Sequence, residues 1–265
     1  MPDDLDEEFE KGFNNDHKDD MIKKYLNNFE SYLEHVFAVW REYFASKQEL
    51  MDFYAAISDE KDQALFLRVG SFFRFLVREG HFHFEDGDWN CGMSYIDDSY
   101  KYIAIFSLIE ALGSSSGGYV SFYDWLNINK KSTSVTLAEP VMASIRRSYE
   151  EYNAEHGANQ AALRFFNCLD PEDQQFIQDR LEVRDRNNSI KKLVEFLYNI
   201  RSQFVHKAQF VLGFGDKTTF EYDKGKVMAV NELSMQDMQT LFEHGFLKHF
   251  GYKKAFNRDR ASRRR

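Results

Sequence analysis

Apolar residues recur at spacings of three and four along most of the chain. Between Asp20 and about Ile57 this rhythm holds Ile22, Tyr25, Leu26, Phe29, Tyr32, Leu33, Val36 and Phe37, predicting one or two amphipathic helices. Ser58, with Asp59 and Glu60 behind it, reads as an N-cap with acids in the first turn. The helix it opens carries Leu65, Phe66, Val69, Phe72, Phe73, Phe75 and Leu76, and Gly80 terminates it. HFHFEDGDWNCG then alternates briefly and breaks at Gly87, as a short extended piece and a turn would.

Helical periodicity returns over Ile96–Leu112 and stops at Gly113; SSSGG is a loop, and VSFYDWL over 120–126 predicts a short helix. Glu139-Pro140 opens a helix to about Tyr152, since proline suits a first turn, and Gly157 divides it from another over 158–168. Asp170-Pro171 is a cap followed by a first-turn proline for a helix over Glu172–Leu181. Asn188 or Ser189 caps a strongly periodic helix from Ile190 to about Gln209. TTFEYDKGKVMAV predicts a hairpin with strands near 218–222 and 226–230. Ser234, with Asp237 three residues on, caps a last helix to about Leu247. The fold class expected is mainly α.

Composition narrows the functional classes. At 265 residues the chain makes one large domain or two small ones, and 43% hydrophobic residues suffice for a core without disulfides. Phenylalanine, tyrosine and tryptophan make up 16% of the residues, which points to a Phe-rich helical core. Two cysteines, Cys91 and Cys168, suit a reducing cytosol, and no apolar run approaches the ~20 residues of a membrane span. The acidic N-terminus has no apolar core, so no signal peptide is expected and the expected location is cytoplasmic. A net charge of −9 argues against a general nucleic-acid coat but leaves room for a local basic site.

Charge is unevenly placed. Nine acids stand in residues 1–20 against Lys11 and Lys18, and eight basic residues stand in the last eighteen against Asp259. These blocks predict an acidic tail over 1–18 and a basic tail over 251–265, enclosing an N-terminal helical region over 19–90 and a second helical domain over 91–250.

The segment with candidate chemistry is IKKLVEFLYNIRSQFVHKAQF, residues 190–210. Arg201 and His206 stand five residues apart on its helix, separated by about 140° and about 7.5 Å along the axis. Asn199, Ser202 and His206 share a face, so Asn199 or Ser202 can orient the imidazole. An imidazole exchanges a proton near neutral pH, and a guanidinium holds a phosphate and offsets charge developing on it. Together they suffice for metal-independent RNA cleavage by the ribose 2′-hydroxyl, with no cofactor. A second Arg-x4-His match, Arg78 and His83, is interrupted by Gly80 and loses helical geometry.

FLYNIRSQFVHKAQ resembles the signature of the HEPN family of nucleotide-binding helical domains: an arginine, a polar residue, a few more positions, then histidine. The apolar lead-in of Leu193, Phe196, Leu197 and Ile200, and the pair Phe204 and Val205, are similar to it as well. So are YIAIFSLIEAL and FFNCLDPEDQQFIQDRL upstream, closest to the ApeA-like branch of bacterial defence proteins, and the resemblance covers about 95–250. It implies a helical bundle of HEPN type, to which this chain adds N-terminal helices and one hairpin. It also implies a homodimer with Arg201 and His206 of both copies facing one cleft, and Glu110 near that cleft. An endoribonuclease in bacterial stress or phage defence follows, with RNA as ligand and an antitoxin-like or defence protein as possible partner. Lys191, Lys192, Lys207, Arg184 and Arg186 form a local basic group around the motif that suits RNA. Ser202 stands where Asn, Asp or His is common, and Lys207 where glycine is expected. Those departures keep a second reading open, a non-catalytic module for dimerisation or for binding RNA or a partner.

A third grouping, His81, His83, Glu85, Asp86, Asp88 and Cys91, matches no known metal-ligand spacing and reads as a surface hairpin. Cys168 reads as a small buried hydrophobe, and Asp97-Asp98 as helix N-terminal charge.

Overall fold

The computed structural model describes residues 22–81, 93–113, 139–183, 188–207, 218–222 and 226–256. The readings made for residues 1–18, 82–91, 114–126, 184–187 and 257–265 lie outside these. The chain divides into two compact units, one of residues 1–81 with 250–265 and the other of residues 82–249.

In the first unit, residues 22–27 are helical and a turn at Asn28 leads into α1 (Phe29–Trp40). A separate helix, α2 (Lys47–Ala55), follows, so the long periodic stretch is interrupted. The interruption has a local cause: Ser46 accepts from the Glu49 backbone N–H while the Glu49 carboxylate accepts from that of Ala45, capping α2 at a fresh start. The next helix, α3 (Glu60–Phe73), is capped by Asp59 and not by Ser58. Asp59 accepts from the backbone of Lys61 and Asp62 at 2.8 and 3.2 Å, where a full negative charge also meets the helix dipole. α3 continues as a π-turn, Arg74–Arg78.

The core of this unit is aromatic and branched, with Leu33, Val36, Trp40, Leu50, Phe66, Leu67 and Phe73 buried. Gly70 lets α1 and α3 approach, since a Cβ there would lie 2.7 Å from Val36 Cγ2. Residues 251–256, expected to begin a basic tail, instead pack on this unit. Tyr252 is buried against Phe44 and Phe53, its hydroxyl donates to the Tyr43 carbonyl, and Lys254 pairs with Glu49. Burial of an aromatic ring outweighs the solvation of the flanking lysines.

The second unit contains α4 (Met93–Gly113), α5 (Glu139–His156), α6 (Ala158–Asn167), α7 (Pro171–Arg180), α8 (Ile190–Lys207) and α9 (Met235–His249). Three antiparallel strands, β1 (Leu181–Val183), β2 (Thr218–Tyr222) and β3 (Lys226–Asn231), lie in the order β1-β3-β2. The expected hairpin is β2 with β3, bulged between Phe220 and Glu221. β1 departs from expectation: Leu181 ends the helical reading and pairs with Asn231, while Val183 pairs with Ala229. Leu181 and Val183 are buried with Glu182 exposed between them, so a three-residue alternation joins the edge of a hairpin far along the chain.

α4 packs on α6, α8 and α9. Their shared core includes Ile105, Phe106 and Ile109 of α4, Ala162 and Phe166 of α6, Leu193, Val194 and Leu197 of α8, and Phe242 and Phe246 of α9. The chain is thus mainly helical, as its periodicity predicts. Among the described residues no helix is long and apolar enough to cross a membrane.

Candidate functional site

α8 is positioned by a one-sided apolar stripe. Its first turn is satisfied by the Ser189 carbonyl, which accepts from Lys192 and Leu193. Leu193, Val194 and Leu197 are fully buried, while Lys191 and Asn199 are exposed. The buried Tyr102 hydroxyl of α4 donates to the Leu197 carbonyl at 2.6 Å and fixes the two helices against each other.

At the edge of this contact three polar side chains meet. Arg201 Nη2 lies 3.1 Å from Glu110 Oε1 and 3.3 Å from Oε2, and only the latter contact is aligned as a hydrogen bond. The hydroxyl of Tyr198, one turn before Arg201, donates to Glu110, and its ring stands edge-on to Phe106 with centroids 6.1 Å apart. The Arg201 guanidinium sits 5.6 Å from the Tyr198 ring centre. Arg201 and Glu110 side chains are 15% and 26% exposed, so the ion pair is mostly removed from water yet still reached by it.

Burial dominates the electrostatics. It pushes the Glu110 carboxyl above the ordinary range, opposed by the Arg201 charge and the Tyr198 hydrogen bond. The Tyr198 hydroxyl is raised for the same first reason, with Glu110 adding to it. Arg201 Nε is buried and, among the described residues, meets no hydrogen-bond acceptor. The arrangement therefore holds a guanidinium with an unused donor beside a carboxylate whose charge is costly.

The remaining candidates are distributed as follows. His206 and Lys207 belong to the last turn of α8 by their backbone, and Ser202 is half-buried. Lys192 is engaged with Glu195 at 3.0 Å, which leaves Lys191 as the exposed charge of that pair of lysines. Arg184 and Arg186 lie outside the described residues, as do His83, Glu85, Asp86, Asp88 and Cys91 of the third grouping. Among the described residues no three His, Cys, Asp or Glu side chains converge as metal ligands.

Asp97 pairs with the buried Lys101 at 2.7 Å rather than only charging a helix end. Cys168 is exposed, contrary to expectation, because α6 ends at Asn167 and leaves it at the C-cap. Its sulfur nonetheless faces the carbonyls of Phe165 and Gly245, and desolvation raises the thiol to about 11.

Tyr198 is the residue that motif spacing does not reveal. Its signal is positional, since three residues before an arginine on a helix is a neighbouring place. The chain matches no protein-family model, no curated protein and no solved structure.

Proposed function

We propose that the chain is a HEPN-type endoribonuclease that cleaves RNA by attack of a ribose 2′-hydroxyl on the adjacent phosphodiester. Arg201 holds the phosphate and offsets its growing charge. His206 removes the 2′-hydroxyl proton, helped in orientation by Ser202 and Asn199. The phosphorus–O5′ bond breaks to leave a 2′,3′-cyclic phosphate, and the leaving O5′ takes a proton from His206 of a second copy. Lys191, Lys192, Lys207, Arg184 and Arg186 attract the strand. The setting is bacterial stress or phage defence in the cytoplasm, with a homodimer as the working form and an antitoxin-like protein as a possible partner.

The observation that supports this reading is Arg201 itself. It is anchored by Glu110 beside Tyr198 on a helix that continues through His206, with a buried donor left over. Incubating purified protein with RNA in EDTA should yield 2′,3′-cyclic phosphate ends, lost in Arg201→Ala and His206→Ala. Cleavage undiminished in both variants removes the proposal.

The Arg201–Glu110 ion pair also favours a second reading, in which Arg201 is a structural clamp of a non-catalytic module for dimerisation or binding. That reading predicts RNA binding or dimerisation without turnover.

A further inference from the structure

We infer that Glu110 is a positioning residue that occupies Arg201 until an RNA phosphodiester displaces it, one proton being taken up by Glu110 as the phosphodiester binds. The inference rests on reading Arg201 as the phosphate-binding group, and concerns what must happen at that group before it can act.

Two anions compete for one cation. A phosphodiester oxygen and the Glu110 carboxylate seek the same guanidinium, and Nη2 is already turned toward both carboxylate oxygens. If the phosphodiester takes Arg201 while Glu110 stays ionised, a mostly buried carboxylate loses its counter-charge and gains an anionic neighbour. Such a group neutralises itself by protonation rather than remain charged. Protonated Glu110 can keep its place, because a carboxyl still accepts from Tyr198 and becomes a donor itself.

Among the described residues, Arg201 and Tyr198 of α8 act on Glu110. Of the other helices packed on α4, α6 carries Arg164, committed to the Gly113 carbonyl at 2.8 Å. α9 carries Glu243, fully buried, together with His244 and Lys248, which pair with Asp173 and Asp170. The carboxyl is already raised by burial in the unliganded site, and a phosphodiester that takes Arg201 removes the charge that opposes that rise.

The test uses the full chain and a short 2′-O-methyl RNA, which cannot be cleaved, at constant ionic strength from about pH 5 to about pH 8, where a phosphodiester keeps its charge. Wild-type affinity should rise as pH falls, by up to about tenfold per pH unit beyond the slope of Glu110→Gln. Histidine titration is common to both proteins and cancels in that comparison. Glu110→Gln should bind more tightly than wild type at the alkaline end, since its amide competes less well for Arg201. Tyr198→Phe removes the hydrogen bond that favours the ionised carboxyl, so its titration should move to higher pH; this variant carries the test if Glu110→Gln does not fold.

Coincident curves for wild type, Glu110→Gln and Tyr198→Phe, with binding still lost in Arg201→Ala, overturn the exchange and leave the phosphate-binding role standing. Binding that Arg201→Ala does not weaken, or no binding by any of the proteins, removes the phosphate-binding role and the exchange with it.

Discussion

Tyr102 and Leu197 are joined across two helices by a buried hydrogen bond, the phenol donating to the main-chain carbonyl at 2.6 Å. This carbonyl lies four residues before Arg201, the spacing at which it also accepts the Arg201 backbone N–H in an α-helix. The contact thus sets where α8 stands when it presents Arg201 to Glu110. Tyr102→Phe keeps the ring and its packing on Phe106, and leaves no orphaned carbonyl. We expect a loss of about 1 kcal/mol in urea unfolding. On the proposed reading RNA cleavage should fall by more than that loss of stability explains, in kcat rather than in KM, because the arginine is displaced rather than removed.

The second unit has a buried polar anchor away from this site. His244 Nδ1 of α9 and Asp173 Oδ2 in the first turn of α7 lie 2.8 Å apart, with side chains 2% and 3% exposed. Removing one partner takes a buried hydrogen bond from the other. Asp173→Ala and His244→Ala should each destabilise by about 3 kcal/mol, and the double variant by much less than the sum. Additive losses in a denaturant titration would show that the two side chains do not act as a pair.

Two glycines within helical pattern are there for packing. A Cβ on Gly245 would meet the Phe165 ring at 2.3 Å, and one on Gly113 would meet Ala161 Cβ at 2.4 Å. Alanine at either position improves helix propensity in isolation but forces α6 away from its neighbour. Gly245→Ala should lower stability by about 1–3 kcal/mol, and Phe165→Leu in the same chain should recover part of it, as thermal unfolding would record.

These glycines also mark the limit of what the sequence makes readable. Gly113 reads as a helix end from its residue type, while its close approach to Ala161 leaves no mark in the local pattern. Gly245 sits mid-helix, and its reason is a ring eighty positions earlier. The same distinction separates Ser234, whose reciprocal hydrogen bonds with Asp237 follow from a three-residue spacing, from β1, whose partner strand lies some fifty residues downstream. It separates Asp59 from Ser58 too, where two adjacent capping residues compete and only the backbone geometry decides. In the candidate site the helix bearing Arg201 is evident from periodicity. Glu110 is implied by resemblance alone, and Tyr198 enters only through the contact between the two helices. Long-range partners leave no periodic trace, so the site's electrostatics could not be derived from its spacing.

Cys168 offers a probe of the second unit that is independent of any ligand. Cys168 is exposed as a residue, yet desolvation at its sulfur raises the thiol to about 11. The thiolate is the reactive form, so at about pH 8 only about a thousandth of the population can react, against roughly a quarter for an unperturbed thiol. Alkylation followed by peptide mass spectrometry should therefore find Cys168 slow at neutral pH. Its rate should climb about tenfold per pH unit until it levels near the raised value. Denaturant should abolish the protection and bring the rate to that of an ordinary cysteine. A plateau near about pH 8.5 in the folded protein would instead mean that the sulfur is hydrated, and that α6 ends with its last carbonyls open to water.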